Sequence, residues 1–295
     1  MIRYSITDLE NITGIKAHTI RIWEKRYTII KPFRTTTNIR YYDNDQMLKL
    51  VNVAALIRSG MKISKIDKLT AGEIADEINK RLSSSSKTEG DHYEVYTAQL
   101  ISYGLEFNEN GFNTIFSNAL LRYGMQECYI KILLPLMNRV GLYWSTNQLN
   151  PAQEHFVSNL VKQKLSAAID SLPPTTSMQH PSLLFLPQNE NHEIGLLMAK
   201  YFLRNAGKQV VYLGPQVPFD NLKITVEQTR PSQLLFFLVQ LHPFEELQKY
   251  IDRISAEFQN MKIFVAGLPY IFSNLNIPGN IILISTPVEF DKMLN

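Results

Sequence analysis

From residue 181 onward the apolar residues fall in short continuous runs, at 183–186, 210–213, 234–241, 263–266 and 281–284. Apolar runs of this length predict strands buried on both faces. Segments of helical pattern lie between them, at roughly 193–204, 219–230 and 244–259, with a weak one near 269–274 and a short tail at 287–294. Strand and helix in alternation predict a doubly wound sheet of five parallel strands, flavodoxin-like or Rossmann-like in plan. Upstream the period changes. Leu100, Tyr103 and Phe107 recur at helical spacing, as do Phe112, Ile115, Phe116, Ala119 and Leu120, so residues 92–172 are expected to form a four-helix bundle.

The first 78 residues read as short helices around one hairpin. Ser5 to Gly14 has an N-cap Ser, an acidic residue at the third position and a Gly stop. After a turn, Ala17 to Tyr27 forms a second helix, with Ile20 and Trp23 spaced to pack inward and Arg21, Lys25 and Arg26 facing out. Arg34 to Tyr42 reads as a hairpin with a Thr-Thr-Asn tip. Asp43 caps a third helix that runs to Ser59, Gly60 breaks it, and a fourth begins near Lys62. Residues 80–91 are polar and Ser-rich, and Pro173-Pro174 opens a second polar run to His180. Both read as linkers. The expected organisation is a head at 1–78, a linker at 79–91, the bundle at 92–172, a linker at 173–180 and the α/β domain at 181–295.

Charge adds a direction to this layout. Residues 1–81 hold 15 Lys and Arg against 9 Asp and Glu, a net of +6, and the remainder holds 15 against 18, a net of −3. A basic head on a mildly acidic body points to an anionic polymer bound at one end. The single cysteine, Cys128, allows no internal disulfide framework and fits a reducing cytoplasm. Arg3, Asp8 and Glu10 interrupt any apolar signal core. No run of 18 apolar residues is present, so no membrane span is expected.

The head has the parts of a winged helix-turn-helix. Its second helix suits the major groove, and Arg34 and Arg40 flank the hairpin tip, placed for phosphates or the minor groove. The sequence Thr-Ile-Arg-x-Trp-Glu-x-Arg-Tyr at 19–27, followed by Arg-Tyr-Tyr at 40–42, resembles the DNA-binding domain of the MerR family of bacterial transcription regulators. The resemblance implies binding to a double-stranded, pseudo-palindromic operator as a dimer, with RNA polymerase as a further partner. It also implies DNA contacts at Arg21, Lys25, Arg26, Arg34, Arg40 and Tyr41. Trp23 and Tyr42 are assigned to packing.

Two further signatures lie downstream. Trp144 is followed after nine residues by Glu154-His155, with Pro151 suited to start their helix. Glu190-Asn191-His192-Glu193-Ile194-Gly195 directly follows the first strand of the sheet, and ligands bind at the carboxyl ends of such strands. His192 can ligate a metal through one nitrogen while Glu190 accepts from the other. Gly195 leaves room for a bulky group. A plainer reading of the same residues is a surface histidine, a core tryptophan and an exposed pair at a helix start. The order and spacing of the two motifs resemble the cobalamin-binding module of MerR-headed, light-responsive repressors of carotenoid synthesis. That resemblance implies His192 as the lower axial ligand of cobalt with Glu190 as its partner. It places Trp144, Glu154 and His155 on the upper, adenosyl side.

The chain departs from that pattern at three places. Ser145 stands where light-sensing relatives carry a His after the Trp. The third strand, Leu-Leu-Phe-Phe-Leu-Val-Gln-Leu, lacks the Ser that accommodates the nucleotide tail, so Phe236 and Phe237 are candidates to fill the tail's channel. Ala266-Gly267 replaces the Gly-Gly where backbone approaches the tail.

The expected function is a cytoplasmic, DNA-binding transcriptional regulator. Its operator binding and its assembly as a homo-oligomer, dimer or tetramer, would be controlled by cobalamin between the bundle and the α/β domain. One alternative is a regulator that has lost the cofactor and uses its body for oligomerisation or protein interaction. The other is a corrinoid methyl carrier, against which the head argues. No nucleophile–base pair, zinc-spaced Cys/His set or Gly-rich phosphate loop is visible, so no enzyme activity is expected.

Overall fold

The first helix, α1 (Ile6–Thr13), is set by its ends. The Ser5 hydroxyl accepts from Asp8 N at 3.2 Å while the Asp8 carboxylate accepts from Ser5 N, a reciprocal capping box. Gly14 closes the helix in the left-handed region at φ 68°, its N–H bonded to Glu10 O. The rest of the head follows in the computed structural model as α2 (Ala17–Arg26), the two-residue strands β1 (Phe33–Arg34) and β2 (Arg40–Tyr41), α3 (Asn44–Arg58), α4 (Ile63–Ile66) and α5 (Ala71–Ser83). Asp43 caps α3 by accepting from Gln46 N at 3.0 Å. The bundle is α6 (Glu89–Leu105), α7 (Glu109–Cys128), a π-helical turn at Tyr129–Leu133, α8 (Leu134–Ser145) and α9 (Pro151–Asp170). Gly124 breaks α7 with non-helical backbone at a positive φ, φ 72° and ψ 169°.

The structure describes residues 3–83, 89–145, 151–175, 180–239, 243–267, 269–287 and 289–290. Two compact units are present, Met1–Leu160 and Val161–Asn295. The polar run expected as a linker at 79–91 is helical at both described ends, because α5 continues to Ser83 and α6 begins at Glu89. Arg81 explains part of this: it is buried, and its Nη1 donates to Ser59 O at 2.7 Å, anchoring α5 to the end of α3.

Within the first unit the head packs on the bundle. α3 and α5 lie against α6, and α1 against α8. An ionic chain crosses this joint. Arg58 Nη2 donates to Thr13 O at 2.6 Å, passing the bare Cα of Gly14. Arg58 Nη1 also pairs with Glu94 on α6, and Arg139 on α8 grips the same carboxylate through both nitrogens, at 2.8 and 2.7 Å. Gln99 Nε2 donates to Asn52 Oδ1 at 2.9 Å beside it.

The second unit is a five-stranded parallel sheet, in the order β4 (Val210–Val217), β3 (Ser182–Pro187), β5 (Gln233–Leu238), β6 (Lys262–Gly267), β7 (Ile281–Ile284). Its helices are α10 (Glu193–Asn205), α11 (Phe219–Thr229), α12 (Phe244–Glu257) and α13 (Pro269–Phe272). Residues 287, 289 and 290 of the expected tail helix adopt 3-10 geometry, and 291–295 lie outside the described residues. Alternation along the strands divides the core in two. Leu183, Phe185, Phe236 and Val265 pack with Leu222 of α11 and Ile251 of α12. Leu184, Leu186, Phe237 and Phe264 pack with Leu196 and Leu203 of α10. Phe236 and Phe237 therefore face opposite layers, and only Phe237 lies on the α10 side. The third strand is also shorter than its apolar run: it ends at Leu238, because Val239 N–H turns to a side-chain carboxylate at 2.8 Å.

Candidate functional site

In the head, the expected DNA contacts stand on a buried scaffold. Ile20 and Trp23 are buried on the inner face of α2, while Arg21, Lys25 and Arg26 are exposed on the outer one. Arg34 and Arg40 are paired across the wing in register and both exposed. Arg34 Nη1 donates to Asn38 Oδ1 at 2.7 Å, which shapes the tip, where Asn38 holds φ 65°. Tyr42 is fully buried, consistent with a packing role. Its hydroxyl donates to Glu24 Oε1, and the other oxygen of that carboxylate meets Arg40 Nε at 3.5 Å. Burial first, and the Glu24 carboxylate second, push the Tyr42 phenol above its ordinary pKa. Tyr41 is half-buried, its ring stacked on Phe33 at 5.5 Å with the Arg3 guanidinium over it at 4.7 Å.

Glu24 and Arg3 were not among the sequence candidates. Glu24 is legible afterwards as the acidic residue in an otherwise basic helix, where it ties α2 to the wing through Tyr42 and Arg40.

In the α/β unit the chain reverses direction across the sheet at β3, since β4 lies on one side of it and β5 on the other. This switch point is where doubly wound folds bind ligands. The loop leaving β3 carries Glu190, which is 0% exposed. Its Oε1 accepts from Asn191 N at 2.9 Å and His192 N at 3.0 Å, and meets His192 Nδ1 at 2.6 Å. Its Oε2 accepts from Val239 N at 2.8 Å, joining the loop to the end of β5. His192 occupies the N-cap of α10, its side chain 47% exposed. With Nδ1–H directed at a carboxylate, the neutral ring carries its lone pair on Nε2. A second brace comes from β4, where Gln216, at φ 62°, accepts from Asn189 N at 3.1 Å and donates to Asn191 Oδ1 at 2.8 Å. Gln216 escaped the sequence reading because only the strand order brings it beside this loop.

Glu154 and His155 lie in the first turn of α9, His155 Nδ1 at 3.0 Å from Glu154 Oε2, with Ser158 donating to Glu154 Oε1. Trp144 and Ser145 belong to the last turn of α8, and their side chains lie outside what the structure describes.

Two observations test the expected cobalamin. The donor set fits: one imidazole backed by a buried carboxylate suits a metal whose other positions a macrocycle already fills. The surroundings do not fit an inserted nucleotide tail. A Cβ at Gly195 would meet Phe237 Cε1 at 2.5 Å, and one at Gly267 would meet Leu238 O at 2.3 Å. Ala266 is buried. At Gly195 and Gly267 the space beside the bare backbone is taken by the protein itself.

Comparison with known proteins bears on both ends of the chain. Residues 4–73 match the MerR HTH family regulatory protein model, and residues 97–169 match the B12 binding domain model. The HTH-type transcriptional repressor CarH of Myxococcus xanthus is 26% identical over 267 residues, covering 90% of this chain and 88% of the relative. CarA of the same organism is 26% identical over 272 residues, covering 89% and 86%. Among solved structures, the monomethylamine corrinoid protein of Methanosarcina barkeri aligns with a TM-score of 0.53 and 16% identity, over 67% of this chain and 96% of that one. At that identity the likeness is one of fold. Among the described residues no helix is long and apolar enough to cross a membrane. The head is therefore a MerR-type HTH domain and the bundle a B12-binding domain, in a chain similar along most of its length to the transcriptional repressors CarH and CarA.

Proposed function

We propose that this regulator holds its operator under the control of a corrinoid of the cobalamin class, ligated by His192. The observation that carries this reading is the Glu190–His192 pair at the switch point of the sheet. When bound, the cofactor supplies a cobalt ion with an axial position that an imidazole can fill. Glu190 fixes the ring plane and the tautomer, Gln216 and Val239 N hold the loop that carries both, and Nε2 is presented from the start of α10. Trp144, Glu154 and His155 are assigned to the opposite face of the ring by resemblance alone.

The output is assembly. Cofactor-dependent packing of the modules would bring several basic heads onto one double-stranded operator, where linked weak contacts act as a tight one. The proposed state is a homo-oligomer in the cytoplasm, acting on transcription with RNA polymerase as a further partner, and without catalysis. The signal is cofactor occupancy rather than light, since Ser145 brings no imidazole after Trp144.

Full-length protein mixed with hydroxocobalamin should change the visible spectrum and sediment as a larger species, and His192→Ala should abolish both while melting as the wild type does. Unchanged cofactor binding by His192→Ala would remove the axial assignment. A second reading, a regulator that works without cofactor, draws support from Phe237 lying against Gly195. It predicts operator binding and assembly that no corrinoid alters.

A further inference from the structure

We infer that the corrinoid suited to this chain is one that brings no base for insertion beside the sheet: the site at His192 is built for a cobinamide-type ring, with the protein supplying the axial imidazole, in preference to complete cobalamin. This rests on the proposed function and narrows its ligand.

Cobalamin carries its own benzimidazole on a nucleotide tail, and in the free cofactor that base fills the lower position of cobalt. If His192 Nε2 takes the position, the displaced base stays tethered on the same side of the ring. It must then be housed next to the loop that carries His192. Gly195, which has no side chain, lies three residues along α10 and so on the same face of its first turn. The bare backbone there is already covered. Phe237 Cε1, Cδ1 and Cζ lie 2.5, 2.9 and 3.2 Å from the point a Gly195 Cβ would occupy. Phe237 is only 9% exposed, and its ring stacks on Phe290 at 6.1 Å, which stacks in turn on Phe202 at 5.9 Å. The glycine at the end of β6 is spent in the same way, on the backbone oxygen of Leu238 and on Phe272 Cζ at 2.9 Å.

An aromatic ring supplied by residue 237 thus stands where an incoming base would lie. A tail-bearing corrinoid has to break a three-ring stack and uncover leucines of the α10 layer before its base can be seated. A corrin ring without that base meets His192 with no such rearrangement. The absence of a side chain at Gly195 is explained by Phe237 alone, with no cofactor tail needed.

The test is a titration of the full chain, followed by visible spectrum and equilibrium dialysis, with diaquacobinamide and separately with hydroxocobalamin. Wild type should bind the cobinamide at least about ten-fold more tightly, a gap of about 1.4 kcal/mol, with a spectral change lost in His192→Ala. Phe237→Ala should close the gap by strengthening hydroxocobalamin and leaving the cobinamide unchanged. If that variant fails to fold, Phe237→Leu gives the same comparison, and the wild-type ratio stands by itself. Equal affinities in the wild type, or a ratio unmoved by a folded Phe237 variant, overturn the inference and leave the proposed function intact. Binding of neither corrinoid overturns both.

Discussion

In the head, the side chains expected on DNA stand in solvent, and the groups buried beneath them, Trp23 and Tyr42 with the Glu24 carboxylate, serve as scaffold. In the β3–α10 loop the polar group itself is buried: Glu190 is wholly enclosed and the half-exposed His192 is aimed by it. The difference matches the task proposed for each end. Attraction between a guanidinium and a phosphate survives small movements and is spread over many contacts. A bond to a metal has one direction, so a side chain proposed as a metal ligand gains from being locked in advance. Substitutions at the outer face of the head should therefore change DNA affinity and leave stability alone, whereas substitutions beneath His192 should change ligation and stability together.

The largest effect is expected at Glu190. Glu190→Ala leaves the N–H groups of Asn191, His192 and Val239 without their acceptor, which should cost about 2–3 kcal/mol in the α/β unit. The same change should weaken corrinoid ligation about 10- to 100-fold. Thermal melting and a spectral titration read the two together, and loss of one without the other would break the coupling claimed for this loop. Glu94→Ala comes next. It leaves Arg58 and Arg139 facing each other across the joint, at a loss of about 1–2 kcal/mol in denaturant unfolding after solvent screening. Ser5→Ala removes the cap of α1 and should lower stability by about 1 kcal/mol in the same measurement. Arg40→Ala should leave the melting curve in place and flatten the plot of log affinity against log salt by about one unit, if Arg40 meets a phosphate. A drop in stability as large as that of Ser5→Ala would show that Arg40 belongs to the scaffold through Glu24. The smallest expected change is at Cys128. Burial pushes its thiol up to about 12, so the reactive thiolate is scarce at pH 8. Iodoacetamide should leave it unlabelled until the chain is unfolded.

Much of the fold was legible because period and end signals agreed. The capping box at Ser5 and Asp8, the Gly14 stop and the Asp43 cap are local, so the sequence alone locates them. The strands of the α/β unit announce themselves as apolar runs. The end of β5 was not legible, because the residue that stops it, Glu190, lies 49 positions earlier. The helical ends of the polar segment at 79–91 were hidden by composition, since Arg81 looks like a solvated charge until Ser59 is beside it. At the site, Glu190 and His192 were readable as neighbours two residues apart after a strand. Gln216 needed the strand order. The choice between Phe236 and Phe237 needed the register, which sends the first toward α12 and the second toward α10.

The ionic chain Thr13–Arg58–Glu94–Arg139 has a consequence for anyone who would treat the head as a cassette. α3 and α5 share an apolar surface with α6, and the turn of the helix-turn-helix is tethered to the bundle by Arg58. A fragment severed near residue 84 carries away one half of a shared interior, with Arg58 and the apolar face of α3 turned to water. Grafted onto a foreign partner, such a head should be poorly soluble unless the graft extends through α8, so chimaeras of this regulator are better cut at the far end of the bundle than at its polar segment.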